Sequence, residues 1–157
     1  GRIYLTGGAC ALLFGWRKAT VDVDIRLDPE PRGVFEALAQ LKDELDLNVE
    51  LASPQDFIPE LPGWRERSLF IVREGQVDFF HYDFCSQALA KVERGHQRDL
   101  EDVRAMLLRG LVDAVGLQRG FDVLEAALVR YPAVDSEAFR AKLNAFLRPA
   151  PGDAHAT

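Results

Sequence analysis

The first half of the chain alternates between hydrophobic and polar residues, which is the period of a β-strand with one buried face. In Thr20–Leu27, for example, Val21, Val23 and Ile25 would point to one side of the strand. The same alternation, supported by β-branched and aromatic residues, predicts five strands: Arg2–Thr6, Thr20–Leu27, Leu47–Leu51, Ser68–Arg73 and Gln76–Tyr82. Glu74-Gly75 between the last two strands indicates a hairpin turn.

Helical spacing of apolar residues appears between the first strands and dominates the second half. A short apolar helix is predicted over Ala9–Trp16, and a longer one follows Pro31. After Asp83, which suits a helix N-cap, the strand patterns stop. Three helices are then predicted, over Ser86–Gly110, Gly120–Arg130 and Ser136–Leu147.

This order of elements predicts an α+β fold with a mixed, twisted sheet and flanking helices. Residues 1–84 would form the sheet unit and residues 85–148 a helical segment packed on it as one compact domain, which suits a length of 157 residues. The Pro-rich residues 149–157 are predicted to be a flexible tail. Because the chain opens directly in a strand without an initiator Met, we expect a first helix to be missing upstream.

Composition narrows the class of protein. Apolar residues make up 48% of the chain and charged residues 28%, as in a globular domain, and no apolar run reaches the roughly 18–20 residues of a membrane span. The net charge of −6 disfavours binding to nucleic acid by bulk electrostatics. Cys10 and Cys85 are predicted to be free thiols in a reducing cytoplasm, since two cysteines make no disulfide framework.

The segment that indicates chemistry runs from Leu5-Thr6-Gly7-Gly8 to Asp22-Val23-Asp24-Ile25. Two carboxylates at i and i+2 of one strand share a face at roughly 6.5–7 Å, and their repulsion is costly unless a cation lies near them. Carboxylates suit Mg²⁺, which completes its coordination with water and substrate phosphates. The Gly-Gly turn before a helix would offer backbone N–H groups to a phosphate. Together these features predict a site for a metal and a triphosphate.

Other metal and nucleotide motifs are excluded by spacing. Counted from Asp22, an EF-hand would need Gly at the position of Leu27 and Glu at the position of Gly33. The sequence also contains no Gly-x-Gly-x-x-Gly and no Gly-Lys-Ser/Thr run, which excludes a Rossmann fingerprint and a P-loop.

The Gly-Gly and Asp-x-Asp segments resemble the signature of the DNA polymerase β-type nucleotidyltransferase superfamily. Among its members, the chain is similar to the small bacterial nucleotidyltransferases of the abortive-infection and type IV toxin–antitoxin group. The stretch from Lys91 and Arg94 to Arg98, Asp99 and Asp102 resembles that group's Lys-x-x-Arg…Arg-Asp-x-x-Asp helix. The resemblance extends over residues 4–108 and implies a nucleotidyltransferase-type sheet.

The resemblance also implies a third carboxylate on a later strand beside the Asp-x-Asp strand. Asp78 is the favoured candidate because it is a charge inside an otherwise apolar strand. Asp83 and Glu50 are rivals, the first more simply a helix cap and the second more simply an exposed strand residue. His81 falls on the opposite face from Asp78 and is predicted to be structural.

Basic residues near these acids are the candidates for holding a nucleotide. Besides Thr6, Gly7 and Gly8, the resemblance points to Arg17 and Lys18 on the loop before the Asp-x-Asp strand. Lys91, Arg94 and Arg98 would line one face of a continuous helix and could hold a triphosphate or an RNA backbone. The competing interpretation makes Arg98 and Asp102 an ordinary surface ion pair, and Gly95 would spoil the alignment if the helix breaks there.

The function implied is transfer of a nucleoside monophosphate from an NTP to a hydroxyl of a protein or a tRNA. Asp22, Asp24 and Asp78 would bind Mg²⁺, with Mn²⁺ as the alternative metal, and a cognate toxin or antitoxin protein would be the partner. The rival hypothesis is a nucleotidyltransferase-like module that binds nucleotide or a partner without turnover, since a fold does not guarantee activity.

Overall fold

The computed structural model describes residues 1–149 and contains a five-stranded mixed sheet. Its strand order is β3-β2-β1-β5-β4. The strands are β1 (Arg2–Thr6), β2 (Asp22–Leu27), β3 (Asn48–Leu51), β4 (Leu69–Glu74) and β5 (Val77–His81). Ala150–Thr157, most of the predicted tail, lie outside the described residues.

Seven α-helices are found in the described part of the chain. Three of them lie within the sheet half: α1 (Gly8–Phe14), α2 (Val34–Leu45) and the single turn α3 (Trp64–Arg67). The other four follow the last strand: α4 (Phe84–Arg94), α5 (Gln97–Leu108), α6 (Ala114–Glu125) and α7 (Ser136–Leu147). The α+β class predicted from the sequence is therefore confirmed. Within residues 1–149, every helix is too short or too polar to cross a lipid bilayer.

Strand pairing determines which residues become neighbours at each end of the sheet. β1 is antiparallel to β2, so that Thr6 at the end of β1 lies opposite Asp24. β3 runs parallel to β2 and places Glu50 beside Asp24. β5 runs parallel to β1 on its other side and places Asp78 beside Arg2 at the start of β1.

The two faces of the sheet are covered differently. On one face, Ile3 and Ile25 pack with Val34 of α2. On the other face, an aromatic cluster of Tyr4, Trp64 and Tyr82 covers only the central and β5 side. Asp22, Asp24 and Glu50 share this second face by alternation but lie beyond the aromatic cluster, where no helix covers them fully.

The helical half has its own apolar core, which the sheet half joins. Leu89, Val103, Phe121 and Leu143, one from each of the four helices that follow β5, are fully buried in it together with Ile58. Each such side chain contributes roughly 1.5–3 kcal/mol by leaving water. This packing holds α4 against α5, α6 and α7, and α4 is a helix that lines the candidate site described below.

The prediction of one helix over Ser86–Gly110 is wrong, because α4 ends at Arg94 and α5 begins at Gln97. Gly95 adopts the left-handed conformation with φ of 73°, and its N–H donates to the Lys91 carbonyl as a helix C-cap. Such a left-handed residue ends a helix, and the chain then folds back so that α5 packs on α4.

Candidate active site

The Asp-x-Asp pair lies at the open end of the sheet together with a third carboxylate. Asp22 and Asp24 project from the same face of β2, and Glu50 lies beside Asp24 on β3. The Asn48 side-chain amide donates to Asp22 Oδ1 at 2.9 Å and to Glu50 Oε1 at 2.8 Å. We call Asp22, Asp24 and Glu50 the acidic cluster.

Asp24 is the least compensated member of the acidic cluster. Its carboxylate is half-buried and has no hydrogen bond or ion pair among the described residues. Burial raises the pKa of Asp24, and the charges of Glu50 and Asp22 raise it further, against the opposing influence of Lys91 and Arg94. A crowded carboxylate of this kind is stabilised when a cation binds next to it.

The Gly7-Gly8 turn brings the backbone close to Asp24. Gly7 has φ 62° and ψ −130°, a conformation open to glycine, and a Cβ on it would lie 3.4 Å from Asp24 Oδ2. A Cβ on Gly8 would lie 2.6 Å from the Thr20 hydroxyl, on the loop that enters β2. Both glycines therefore allow the turn and the loop to close around the acidic cluster. The Gly7 N–H, predicted to be open to phosphate, instead donates to Gln87 Oε1 at 2.9 Å.

We expect Gly7→Ala to lower the free energy of unfolding by about 1–3 kcal/mol, because its backbone conformation is unfavourable for any residue with a Cβ. Urea denaturation measures the change. Gly75→Ala is the control, because Gly75 also has a positive φ but has open space around it. We expect this variant to lose less free energy of unfolding than Gly7→Ala. Equal losses at the two positions would show that the turn at Gly7 imposes no special requirement.

A buried ion network lies next to the acidic cluster. Asp102 is 2% exposed and accepts hydrogen bonds from Trp16 Nε1 at 3.1 Å, Arg17 Nε at 3.0 Å and Lys91 Nζ at 2.9 Å. Asp99, also buried, accepts from Arg94 Nε at 2.8 Å. Burial acts to raise the pKa of Asp99, but the hydrogen bonds and charge of Arg94, with the charge of Lys91, lower it overall. We call this set of five charged residues the ion network: Arg17, Lys91, Arg94, Asp99 and Asp102.

Two clefts meet at Asp24 of the acidic cluster. A polar cleft of about 470 Å³ extends from Gly7 and Gly8 to Arg98 and is lined by every member of the ion network except Asp102. A smaller cleft of about 200 Å³ lies between α4 and the segment after β3, and Phe57 forms part of its wall. We call it the Phe57 cleft. Both clefts include Gly7, Asp24, Lys91 and Arg94 in their walls.

The structure brings most of the predicted nucleotide-binding residues together. Gly8 and Arg17 line the polar cleft, Thr6 lines the Phe57 cleft, and Gly7 and Lys91 line both. Lys18 is exposed and lines neither cleft. Arg94 and Arg98 both line the polar cleft even though the helix between them is broken. Arg98 forms no ion pair with Asp102 and has no polar partner within residues 1–149, which leaves its charge open to a ligand.

Asp78 is not brought into the site. It lies beside Arg2, at the opposite end of β1 from Thr6, which is four residues or about 13 Å along the strand. Its carboxylate accepts two hydrogen bonds from Arg73, at 2.6 and 2.8 Å. This hydrogen bonding to Arg73 is the main cause that holds the pKa of Asp78 below its ordinary value. Its charge is compensated by that arginine, so its presence in an apolar strand needs no metal.

Asp83 and Glu50, the two alternatives to Asp78 for the third carboxylate, lie in different parts of the structure. Asp83 is buried and caps α4 by accepting from the Cys85 and Ser86 N–H groups, and it pairs with Arg67. Glu50 joins the acidic cluster and is the third acid that the structure supplies. The Val49-Glu50-Leu51 alternation, which repeats the pattern around Asp24, is the signal in the sequence that could have identified it.

His81 is structural, as predicted. It is buried, its Nδ1 lies 3.2 Å from Cys10 Sγ, and burial lowers its pKa to about 4. Both cysteines are free, and burial raises the pKa of Cys10 to about 12 and that of Cys85 to about 11. The raised pKa values of the two thiols and the lowered pKa of His81 favour the uncharged form of all three groups at neutral pH.

A strand, a Gly-Gly turn and an Asp-x-Asp strand beside the polar cleft are the features of a nucleotidyltransferase-type protein. The chain belongs to the family described as nucleotidyltransferase of unknown function (DUF6036), whose model matches residues 3–147. No curated protein and no solved structure matches the chain. The predicted relationship to nucleotidyltransferases is thus confirmed at the level of the family, while the superfamily and the toxin–antitoxin context stay predictions.

Proposed function

We propose that this protein transfers a nucleoside monophosphate from an NTP to a hydroxyl group of a protein or RNA acceptor, with Mg²⁺ or Mn²⁺ bound at the acidic cluster. The observation that carries the proposal is the Asp24 carboxylate, which is half-buried, unpaired within residues 1–149 and flanked by two further acids. Its neighbours across the cleft are the cations of the ion network and Arg98.

The residues present suit a divalent cation that is shared with a substrate. Among residues 1–149, no three His, Cys, Asp or Glu side chains converge closely enough to form a ready-made metal centre. Mg²⁺ in nucleotide enzymes commonly takes one or two carboxylates and completes its shell with water and phosphate oxygens. Asp22 and Asp24 would supply those carboxylates, and Glu50 would take the place that the sequence assigned to Asp78.

The residues of the polar cleft have separate tasks in this reaction. Arg98, which has no partner within the described residues, and the outer faces of Lys91 and Arg94 would hold the β- and γ-phosphates. The acceptor oxygen forms a bond to the α-phosphorus, the α–β bridging bond breaks, and pyrophosphate leaves. The hydroxyl proton passes to a carboxylate of the acidic cluster, for which we propose Glu50. Mg²⁺ held by Asp22 and Asp24 would supply neutralisation of the phosphate charge as pyrophosphate leaves.

We expect Asp22→Asn and Glu50→Gln each to lower NMP transfer at least tenfold, since each variant removes a carboxylate of the acidic cluster. Asp78→Asn is the matched control on the same sheet face, and we expect its transfer to stay within twofold of the wild type because Asp78 pairs with Arg73 away from the site. The measurement uses each α-labelled NTP with Mg²⁺ and cell extract. Loss of transfer in Asp78→Asn with full transfer in Glu50→Gln would reverse the assignment of the third acid.

A second function is binding of a nucleotide or a partner protein without turnover. It is favoured because most cations of the polar cleft already have acidic partners within the protein. Arg17, Lys91 and Arg94 are already paired with Asp99 and Asp102, and the Gly7 N–H is taken by Gln87. Calorimetry with Mg²⁺ and each NTP, combined with an assay for pyrophosphate, distinguishes the two functions. Binding without pyrophosphate release for every acceptor tried would establish the binding module.

The toxin–antitoxin setting is part of the proposal and rests on the resemblance of the Lys91–Asp102 segment to that group. Both acids of this segment, Asp99 and Asp102, are buried and pair with Arg17, Lys91 and Arg94 of the polar cleft, but not with Arg98. Co-expression with the product of the neighbouring gene tests the setting. We expect a stable complex or relief of growth inhibition. If neither effect is observed, the protein acts as a transferase without such a partner.

A further inference from the structure

The two clefts that meet at Asp24 differ in charge. Beside the shared Asp24, Lys91 and Arg94, the polar cleft adds two cations, Arg17 and Arg98, and two acids, Asp22 and Asp99. Its lining therefore carries four positive and three negative charges, with Arg98 unpaired within residues 1–149. The Phe57 cleft adds no cation and instead brings Glu93, whose carboxylate would repel a polyphosphate. A nucleotide bound at Asp24 would therefore direct its phosphates into the polar cleft.

The wall of the Phe57 cleft is apolar where the polar cleft is charged. Ala52, Pro54 and Ala90 line it together with the ring of Phe57, which is 51% exposed and belongs to none of the three apolar clusters. A half-exposed aromatic ring at the mouth of a cleft gains little from folding, but it offers a face on which a planar group can stack.

Phe57 is held by a short, well-capped turn. It follows the 3₁₀ turn Pro54–Asp56, in which the Ser53 N–H donates to Asp56 Oδ2 at 2.8 Å and the Phe57 N–H donates to the Pro54 carbonyl at 3.0 Å. Pro54 is buried and restricts the backbone further. Because the backbone that carries Phe57 is already ordered, a ligand that stacks on the ring would cost little additional conformational entropy in this segment.

Building on the proposed function, we propose that the nucleobase of the NTP lies in the Phe57 cleft and stacks on Phe57, while the triphosphate lies in the polar cleft. A volume of about 200 Å³ is below the roughly 300–1,000 Å³ of pockets that enclose a whole drug-sized ligand and suits a single heterocyclic base. The α-phosphate then lies between the clefts, next to Asp24. Phe57 is in this view a determinant of NTP affinity and takes no part in the chemistry.

Calorimetry on the full chain in the presence of Mg²⁺ tests this placement with two probes. The first probe is whichever of ATP, GTP, CTP and UTP binds most tightly, and the second is inorganic tripolyphosphate. We expect Phe57→Ala to weaken NTP binding by roughly 5- to 150-fold, the range of one base–aromatic stack, and to leave tripolyphosphate binding within twofold. Phe57→Trp should retain NTP binding. Phe70→Ala, at a more exposed ring on β4 outside both clefts, is the matched control and should change neither affinity.

The outcomes separate this inference from the proposed function. If Phe57→Ala leaves NTP affinity unchanged, or weakens both probes equally, the nucleobase does not lie in the Phe57 cleft although the transferase proposal stands. If Phe57→Ala lowers transfer to an acceptor while NTP affinity is unchanged, the cleft holds the acceptor, which also overturns the inference. If neither probe binds the wild-type protein, the proposed function fails and the inference fails with it.

Discussion

Asp24→Asn is expected to abolish NMP transfer, with a loss of about 10³-fold or more, while the folded protein becomes more stable. The loss corresponds to ~4 kcal/mol of transition-state stabilisation, because Asp24 is the acid that lies at the junction of both clefts. The gain in stability has a different origin. The substitution removes a charge that burial, Glu50 and Asp22 all disfavour in the folded state.

The pH dependence of this gain follows from the direction of the pKa shift. The pKa of Asp24 is raised on folding, so the folded state holds the proton more tightly and the ionised carboxylate opposes folding. The penalty is fully present above the folded pKa and is lost as the pH falls to the unfolded value of about 3.9. The advantage of Asp24→Asn over the wild type should therefore be larger at pH 7 than at pH 4, without divalent cations.

Thermal unfolding in EDTA at the two pH values, together with the labelled transfer assay, measures both effects. Mg²⁺ with an unreactive NTP analogue should raise the Tm of the wild type and leave that of Asp24→Asn nearly unchanged, because a ligand stabilises only the state that binds it. Asp43→Asn, an exposed acid on α2, controls for the loss of one negative charge. Retention of a tenth or more of the wild-type transfer by Asp24→Asn would contradict the assigned role.

Asp102→Ala should cause the largest loss of stability among the charged positions discussed, about 3–5 kcal/mol. The carboxylate is 2% exposed and accepts from Trp16, Arg17 and Lys91. Its removal leaves Lys91, which is itself buried, with only the longer 3.6 Å ion pair to Asp99. At roughly 2–4 °C per kcal/mol for a chain of this size, Tm would fall by about 6–20 °C. Urea denaturation and calorimetry measure the change.

Two further variants keep this prediction testable if Asp102→Ala does not fold. Asp102→Asn retains one acceptor and should cost less, while Lys91→Met in the Asp102→Ala background should recover part of the loss by removing a buried charge that has lost its closest partner. Glu101→Ala, the exposed neighbour on α5, should stay within about 0.5 kcal/mol of the wild type. A loss below about 1 kcal/mol in Asp102→Ala would show that the ion network does not stabilise the fold.

Several parts of the site could be predicted because they depend on local geometry. Asp22 and Asp24 share a face because side chains two apart on a strand always do. The Gly-Gly turn was identified because a strand and an apolar helix flank it, and the structure confirms that turn between β1 and α1. Asp83 as a helix cap follows from the end of the strand pattern in the same way.

Which of the later acids lies beside Asp24 could not be predicted from the sequence, because it depends on strand register. Asp78 and Glu50 each lie on a strand parallel to a neighbour, and both share the face of Asp24. Register places Glu50 beside Asp24 and Asp78 beside Arg2, at the far end of β1. The hairpin then supplies Arg73 to Asp78, a pairing that the strand pattern alone did not reveal.

The helix predicted over Ser86–Gly110, which is divided into α4 and α5, also shows which effects are local and which are long-range. The cost of Gly95 in a helix was visible in the sequence, but the direction of the chain after it was not. Because α5 folds back on α4, Asp102 is buried against Lys91 and Arg17 instead of pairing with Arg98 on the surface. Arg94 and Arg98 nevertheless reach the same cleft from two helices.

The sequence by itself determined the strands, the Gly-Gly turn and the paired carboxylates on one strand face, because each follows from the period and sterics of neighbouring residues. Only the tertiary structure decided that Glu50 and not Asp78 completes the acidic cluster, that Asp99 and Asp102 are buried beneath the polar cleft, and that Phe57 stands at the mouth of a second cleft. The reason is that register, helix packing and the spaces between elements depend on contacts between residues far apart in the chain.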